Sequence, residues 1–130
     1  MPREYLKGTW QENRAFSPAV VTRGGKMVWL AGVGMRADEE GKSLAGDFEA
    51  QARASFRAIG RTLERAGGRL QDIVTMTVFI IDARHGDRFV ETRKEYFPGG
   101  FPASALIMVA GFAHPDMMVE IQAVAVVGEE

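Results

Sequence analysis

The sequence predicts an α+β sandwich with the element order ββαβαββ, its two helices packed on one face of a sheet. Three observations carry this: helical periodicity confined to two windows, a breaker-free β-branched run at residues 73 to 81, and two apolar strands closing the chain. With 130 residues, 46% of them apolar and 25% charged, the chain can bury roughly two thirds of its unfolded surface, and it reads as one domain over residues 1 to 130.

Residues 19 to 34, AVVTRGGKMVWLAGVG, read as two short strands, with Arg23-Gly24-Gly25-Lys26 as the turn joining them into a hairpin. A polar loop, MRADEEGKSLAG, leads to Asp47, a good N-cap. From Phe48 the positions Phe48, Ala52, Phe56, Ile59, Leu63 and Ala66 recur at spacings of four and three, which defines a helix that Gly67-Gly68 stops. IVTMTVFII, residues 73 to 81, is a strand. A second helix over 86 to 97 follows from the pairs Phe89 with Tyr96 and Val90 with Phe97, and Pro98-Gly99-Gly100 ends it. The last strands span about 104 to 110 and 117 to 127, separated by His114-Pro115-Asp116.

Both faces of the sheet call for burial. In the last strand Val119, Ile121, Ala123 and Ala125 point one way and Met118, Val124 and Val126 the other, and residues 105 to 110 are apolar in both alternating sets. No third helix remains to cover the second face, so another copy of the chain is expected to cover it.

Composition excludes several classes of function. Sixteen basic against seventeen acidic residues give no field that would favour nucleic acid, and the absence of cysteine removes disulfides, thiolate nucleophiles and Cys-ligated zinc. A cytoplasmic location is expected. The opening MPREYLKGTW has no apolar core and does not read as a signal peptide. The charge-free stretch from Tyr96 to Pro115 is broken by Pro98, Pro102 and three glycines, so no membrane span is expected there. His85 and His114 fit no metal-binding spacing, and no cofactor or metal is expected. Gly32-Val33-Gly34 lacks an immediately following helix and reads as a strand end rather than a phosphate loop. No GxSxG surrounds any serine.

Two features invite a functional reading. Arg53, Arg57, Arg61 and Arg65 recur every four residues along the first helix, as a solvated flank that Glu49 and Glu64 can pair with at its ends, or as a polyanion-binding stripe. Glu120 stands in mid-strand beside apolar neighbours, where an ionised carboxylate needs a donor, water or ligand.

With these elements placed, the chain resembles the Rid (reactive intermediate deaminase, YjgF-like, L-PSP) family from Phe16 to Val127. AFSPAV at Ala15 to Val20 is similar to the family's GPYSQAV, and LAG at Leu30 to Gly32 to its TSG. AGG followed by DIVTMTVFIID, EYFPGGFPA and VEIQAVAV match its remaining motifs in order. The resemblance implies a chorismate-mutase-like fold with a mixed sheet. It further implies a homotrimer around a central barrel, with small-molecule clefts between subunits, and cofactor-free hydrolysis of imines and enamines. In that family an arginine of PAR(S/T) forks onto the substrate carboxylate and the strand glutamate, here Glu120, holds the attacking water.

This chain departs from the pattern at the arginine. Pro102-Ala103 aligns with PA, which puts Ser104 on the arginine position and Ala105 on the Ser/Thr position, and a single hydroxyl cannot replace planar two-point recognition. Phe16, Ala31, Val33 and Val90 replace a tyrosine, a serine, a glutamine and an asparagine, while Gly32 and Glu120 remain. The expected cleft is therefore lined by Phe16, Ala31, Gly32, Val33, Val90, Ser104 and Ala105. It takes a rather apolar ligand, with Glu120 as its catalytic acid and Arg14 or Arg36 as the candidate to restore an anion contact. A binding trimer without chemistry is the alternative, and RNA cleavage is disfavoured by the near-zero net charge.

Overall fold

The computed structural model of the chain describes residues 3–128. Strands β1 (Arg3–Tyr5), β2 (Val20–Thr22) and β3 (Lys26–Trp29) precede helix α1 (Phe48–Arg65). Strand β4 (Ile73–Ile80), helix α2 (Gly86–Tyr96) and strands β5 (Ala103–Met108) and β6 (Val119–Val127) follow. The main sheet has the order β3-β6-β4-β5, with β4 and β5 parallel and the other pairs antiparallel, and β1 pairs with β2 separately. The result is the expected α+β arrangement, two helices on one face of a mixed sheet.

Helix α1 forms where the periodicity puts it. The Asp47 carboxylate accepts from the Ala50 N–H at 3.0 Å, and Gly67 takes φ 84°, a conformation that favours glycine, to turn the chain out of the helix. Its stripe of Phe48, Ala52, Phe56, Ile59 and Leu63 is buried against Met76, Val78 and Ile80 of β4 and Val119, Ile121, Ala123 and Ala125 of β6. Phe56 stacks on Phe89 and Tyr96 at 5.7 and 4.7 Å and meets Phe97 edge-on at 6.1 Å, which fastens α2 to α1.

The hairpin expected at residues 19 to 34 is not formed. Gly24 and Gly25 adopt φ 65° and 74°, as a tight turn requires, yet the flanking strands pair elsewhere, β2 with β1 and β3 with β6. The competing partner is a strand the sequence reading left unassigned. Arg3 anchors it by donating to the carbonyls of Gln71, Asp72 and Val126 at 2.9 to 3.1 Å.

No described element covers the opposite face of the sheet. Register places Trp29, Thr75, Thr77, Phe79, Ala105, Ile107, Glu120, Gln122 and Val124 on it, and Trp29 is 72% exposed and Ile107 42%. Trp29, Thr75, Thr77, Gln122 and Val124 border a depression of about 280 Å³ there. Among the described residues no helix is long and apolar enough to cross a membrane.

Candidate functional site

The candidate residues divide between two places. Glu120 opposes Phe79 across the β4–β6 ladder, on the bare face. Ser104 opposes the buried Met76 across the β4–β5 ladder, on the helix face. One chain therefore separates them by the thickness of the sheet.

The Glu120 side is built by a close backbone approach. Val33 exchanges both backbone hydrogen bonds with Ile121, at 2.8 and 2.9 Å, which lays Ala31, Gly32 and Gly34 along the start of β6. A side-chain carbon on Gly32 would overlap Oε2 of Glu120, and one on Gly34 would stand 2.6 Å from the Val119 carbonyl. The two glycines are thus packing positions for the strand and its acid, lying beyond the end of β3 at Trp29. The Glu120 carboxylate is half-buried, and no described group hydrogen bonds to it or pairs with it. Ala105 lies on this face as well, one position past Ser104.

The Ser104 side holds a residue that the sequence reading missed. Arg93 of α2, 2% exposed, donates from Nη1 to Ser104 Oγ at 2.6 Å and from Nη2 to the Arg14 carbonyl at 2.9 Å. Its Nε has no partner, and no described acid pairs with it. The guanidinium sits 5.2 Å from the centre of the Phe89 ring. Burial, with a smaller contribution from the nearby Arg14 charge, pushes its pKa down to about 10, so it remains a cation at neutral pH.

Arg14 completes this wall. Ala15 holds a left-handed φ of 63° and is fully buried, its N–H donating to the Glu12 carbonyl at 3.1 Å, which fixes the direction of the Arg14 carbonyl. The Arg14 side chain pairs with Asp87 at 2.6 Å and borders Gly86 beside Leu106. Phe16 follows, edge-on to Trp10 at 5.5 Å, and Ser17 bridges to Ala103. Val90 is buried in α2, one turn from Arg93. The surroundings of Ser104, expected to be apolar, thus hold a buried positive charge. Of the two arginines expected as candidates for an anion contact, Arg14 lies beside Arg93, on the Ser104 side. Arg36 instead has Nη1 2.9 Å from His114 Nε2, and it lines a separate loop cavity of about 490 Å³ with Asp38, Ser43 and Asp116.

Three of the four arginines of the α1 stripe are paired with acids. Arg53 pairs with Glu49 and Glu95, and Arg57 and Arg61 with Glu39. Glu39 takes the place expected for Glu64, because the loop before α1 folds back along the helix.

These features define the class first: a two-helix, mixed-sheet α+β chain with a partnerless acid on its bare sheet face. A family model described as endoribonuclease L-PSP matches residues 10–127, and the chain belongs to that family, the Rid/YjgF proteins. Solved structures agree. A Rid-family protein of unknown function from Yersinia pestis superposes with a TM-score of 0.85 at 22% identity, over 98% of this chain and 100% of that one. A member of the YjgF/YER057c/UK114 family from Mycobacterium tuberculosis gives 0.69 at 28% identity, over 96% and 99%. RidA from an Antarctic Psychrobacter gives 0.72 at 28% identity, over 86% and 88%.

Proposed function

We propose that this chain is a cofactor-free hydrolase of a small imine or enamine, working in clefts between the copies of a homotrimer. The observation that carries the reading is Glu120, a half-buried carboxylate without a partner among the described residues, seated over Gly32 on a face of mixed polarity that no described element covers. A carboxylate in that position can accept a hydrogen bond from water and orient it toward a C=N carbon, taking its proton as the C–O bond forms. Burial of the bare face by a second copy would exclude bulk water and strengthen that interaction.

The test is ammonia release from 2-aminoacrylate or a 2-imino acid generated in the assay. Glu120→Gln is expected to lower kcat/KM by about 100-fold, within the range of general-base contributions, with the oligomer unchanged. A variant within threefold of the parent would end this reading. A binding module without chemistry is the competing account, favoured by the apolar Ala31, Val33 and Val90. It predicts ligand binding with no turnover in the parent protein.

A further inference from the structure

We propose that the cavity between the loop of residues 34–43 and Asp116 binds a small zwitterion, whose carboxylate meets Arg36 and His114 and whose ammonium meets Asp116. The inference goes beyond the hydrolysis proposed above, since it concerns a different cavity and different residues.

The walls of this cavity are built in advance of any ligand. The loop closes on itself: the Asp38 N–H donates to the Lys42 carbonyl at 2.9 Å, the Leu44 N–H donates to the Arg36 carbonyl at 2.7 Å, and the Asp38 carboxylate accepts from the Glu40 and Lys42 N–H groups at 2.9 Å. Helix α1 holds both sides. Gln51 donates to the Leu44 and Asp116 carbonyls at 3.1 and 2.8 Å, and Ser55 Oγ accepts from the Met35 N–H at 3.2 Å. About 490 Å³ lies between these walls, bordered by Gly34, Arg36, Asp38, Ser43 and Asp116. Walls fixed beforehand lower the ordering cost of binding.

The charges that border the cavity are kept apart. No described acid pairs with Arg36, although Asp38 and Asp116 border the same space. Asp38 is committed to its own loop, which leaves Asp116 as the acceptor, its Oδ2 3.8 Å from His114 Nδ1 and out of hydrogen-bond reach. A cation and an anion that share one cavity without meeting are complementary to a molecule that carries both charges.

The contact between Arg36 and His114 marks the carboxylate's place. His114 Nδ1 accepts from the Asp116 N–H at 3.2 Å, which assigns the proton of the neutral ring to Nε2. Arg36 Nη1 stands 2.9 Å from that same Nε2. Two N–H donors thus converge with no acceptor between them, an arrangement that is unfavourable alone and favourable beside an oxyanion accepting from both. Asp116 lies at the other edge of the ring, where the ammonium would sit.

The experiment is calorimetric titration of the full chain with 4-aminobutyrate and with its singly charged analogues butyrate and butylamine, with backbone amide shifts followed by NMR. 4-Aminobutyrate should bind at least about fivefold more tightly than either analogue, the upper end for a partly exposed ion pair, and should shift the amides of Met35, Arg36, Ser43 and Asp116. Arg36→Gln should bring its affinity within about twofold of butylamine's, and Asp116→Asn within about twofold of butyrate's. Both side chains are exposed, so both variants should fold. Equal binding of the three probes, a preference that survives either substitution, or amide shifts confined to the surroundings of Glu120 overturns the site. Glu120→Gln should leave this binding unchanged. Binding lost in Glu120→Gln would reject this inference alone, and turnover that does not depend on Glu120, with zwitterion binding intact, would reject only the proposed chemistry.

Discussion

Adding one methyl group at Gly32 separates folding from chemistry at the proposed water-holding acid. In Gly32→Ala the new carbon would overlap Oε2 of Glu120 and stand 3.1 Å from its Cδ, whereas carbon atoms rest comfortably at about 3.5 to 4.0 Å. The carboxylate must retreat by roughly 0.5 to 1 Å to reach that separation. It is the free end of a flexible side chain on an open face, so the cost in stability should stay below about 1 kcal/mol. A displacement of that size in a reacting group costs about 100-fold in rate, or about 2.7 kcal/mol of transition-state stabilisation. Thermal melting, sedimentation and steady-state ammonia release test the two parts together. The expected result is a melting temperature within about 5 °C of the parent, an unchanged oligomer and kcat/KM lowered about 100-fold. Gly34→Ala is the matched control, because its methyl meets the Val119 carbonyl and the backbone cannot retreat; it should cost about 1 to 3 kcal/mol of stability. A Gly32→Ala protein with undiminished kcat/KM would refute the assignment of Glu120.

Other variants test the remaining features. Arg93→Met removes a charge whose pKa burial pushes down to about 10, a penalty of about 3 kcal/mol, against the loss of two charge-assisted hydrogen bonds worth about 3 to 6 kcal/mol together. Its melting temperature should therefore equal or fall below the parent's, and a rise of more than about 5 °C would mark the guanidinium as a net destabiliser. Gln51, fully buried, donates to the Leu44 and Asp116 carbonyls and accepts from the Met118 N–H. Gln51→Leu strands these groups and should cost about 2 to 4 kcal/mol in denaturant unfolding; an unchanged midpoint would deny this tie a role. Trp29→Lys places a charge on the bare sheet face and should convert the proposed oligomer to monomer in sedimentation at micromolar concentration, while circular dichroism stays native. An unchanged particle mass would show that this face is not the one covered.

The helices and central strands were legible because local chemistry and tertiary packing agree there. Apolar spacing, the Asp47 cap and the Gly67 stop bound α1, and the β-branched run gives β4 nearly to the residue. Strand β1 was not legible: three residues, two of them charged, carry no pattern, and Arg3 is held by carbonyls far along the chain. The faces of β5 were equally hidden, since both its alternating sets are mostly apolar and only the ladder to Met76 assigns Ser104 a side. Arg93 did leave a signal. It falls three residues after Val90 and four after Phe89, inside the apolar stripe of α2, and a cation at a core position is informative. A stripe defined by apolar residues alone leaves it out.

Because the hydroxyl at position 104 and the acid at position 120 face away from each other across one sheet, any molecule that touches both must be held by two polypeptides. Activity would then belong to the junction rather than to the chain. It should fade on dilution as junctions open, with each subunit still folded. Co-assembling chains that lack Glu120 with parent chains should lower activity in proportion to the junctions that lose the acid.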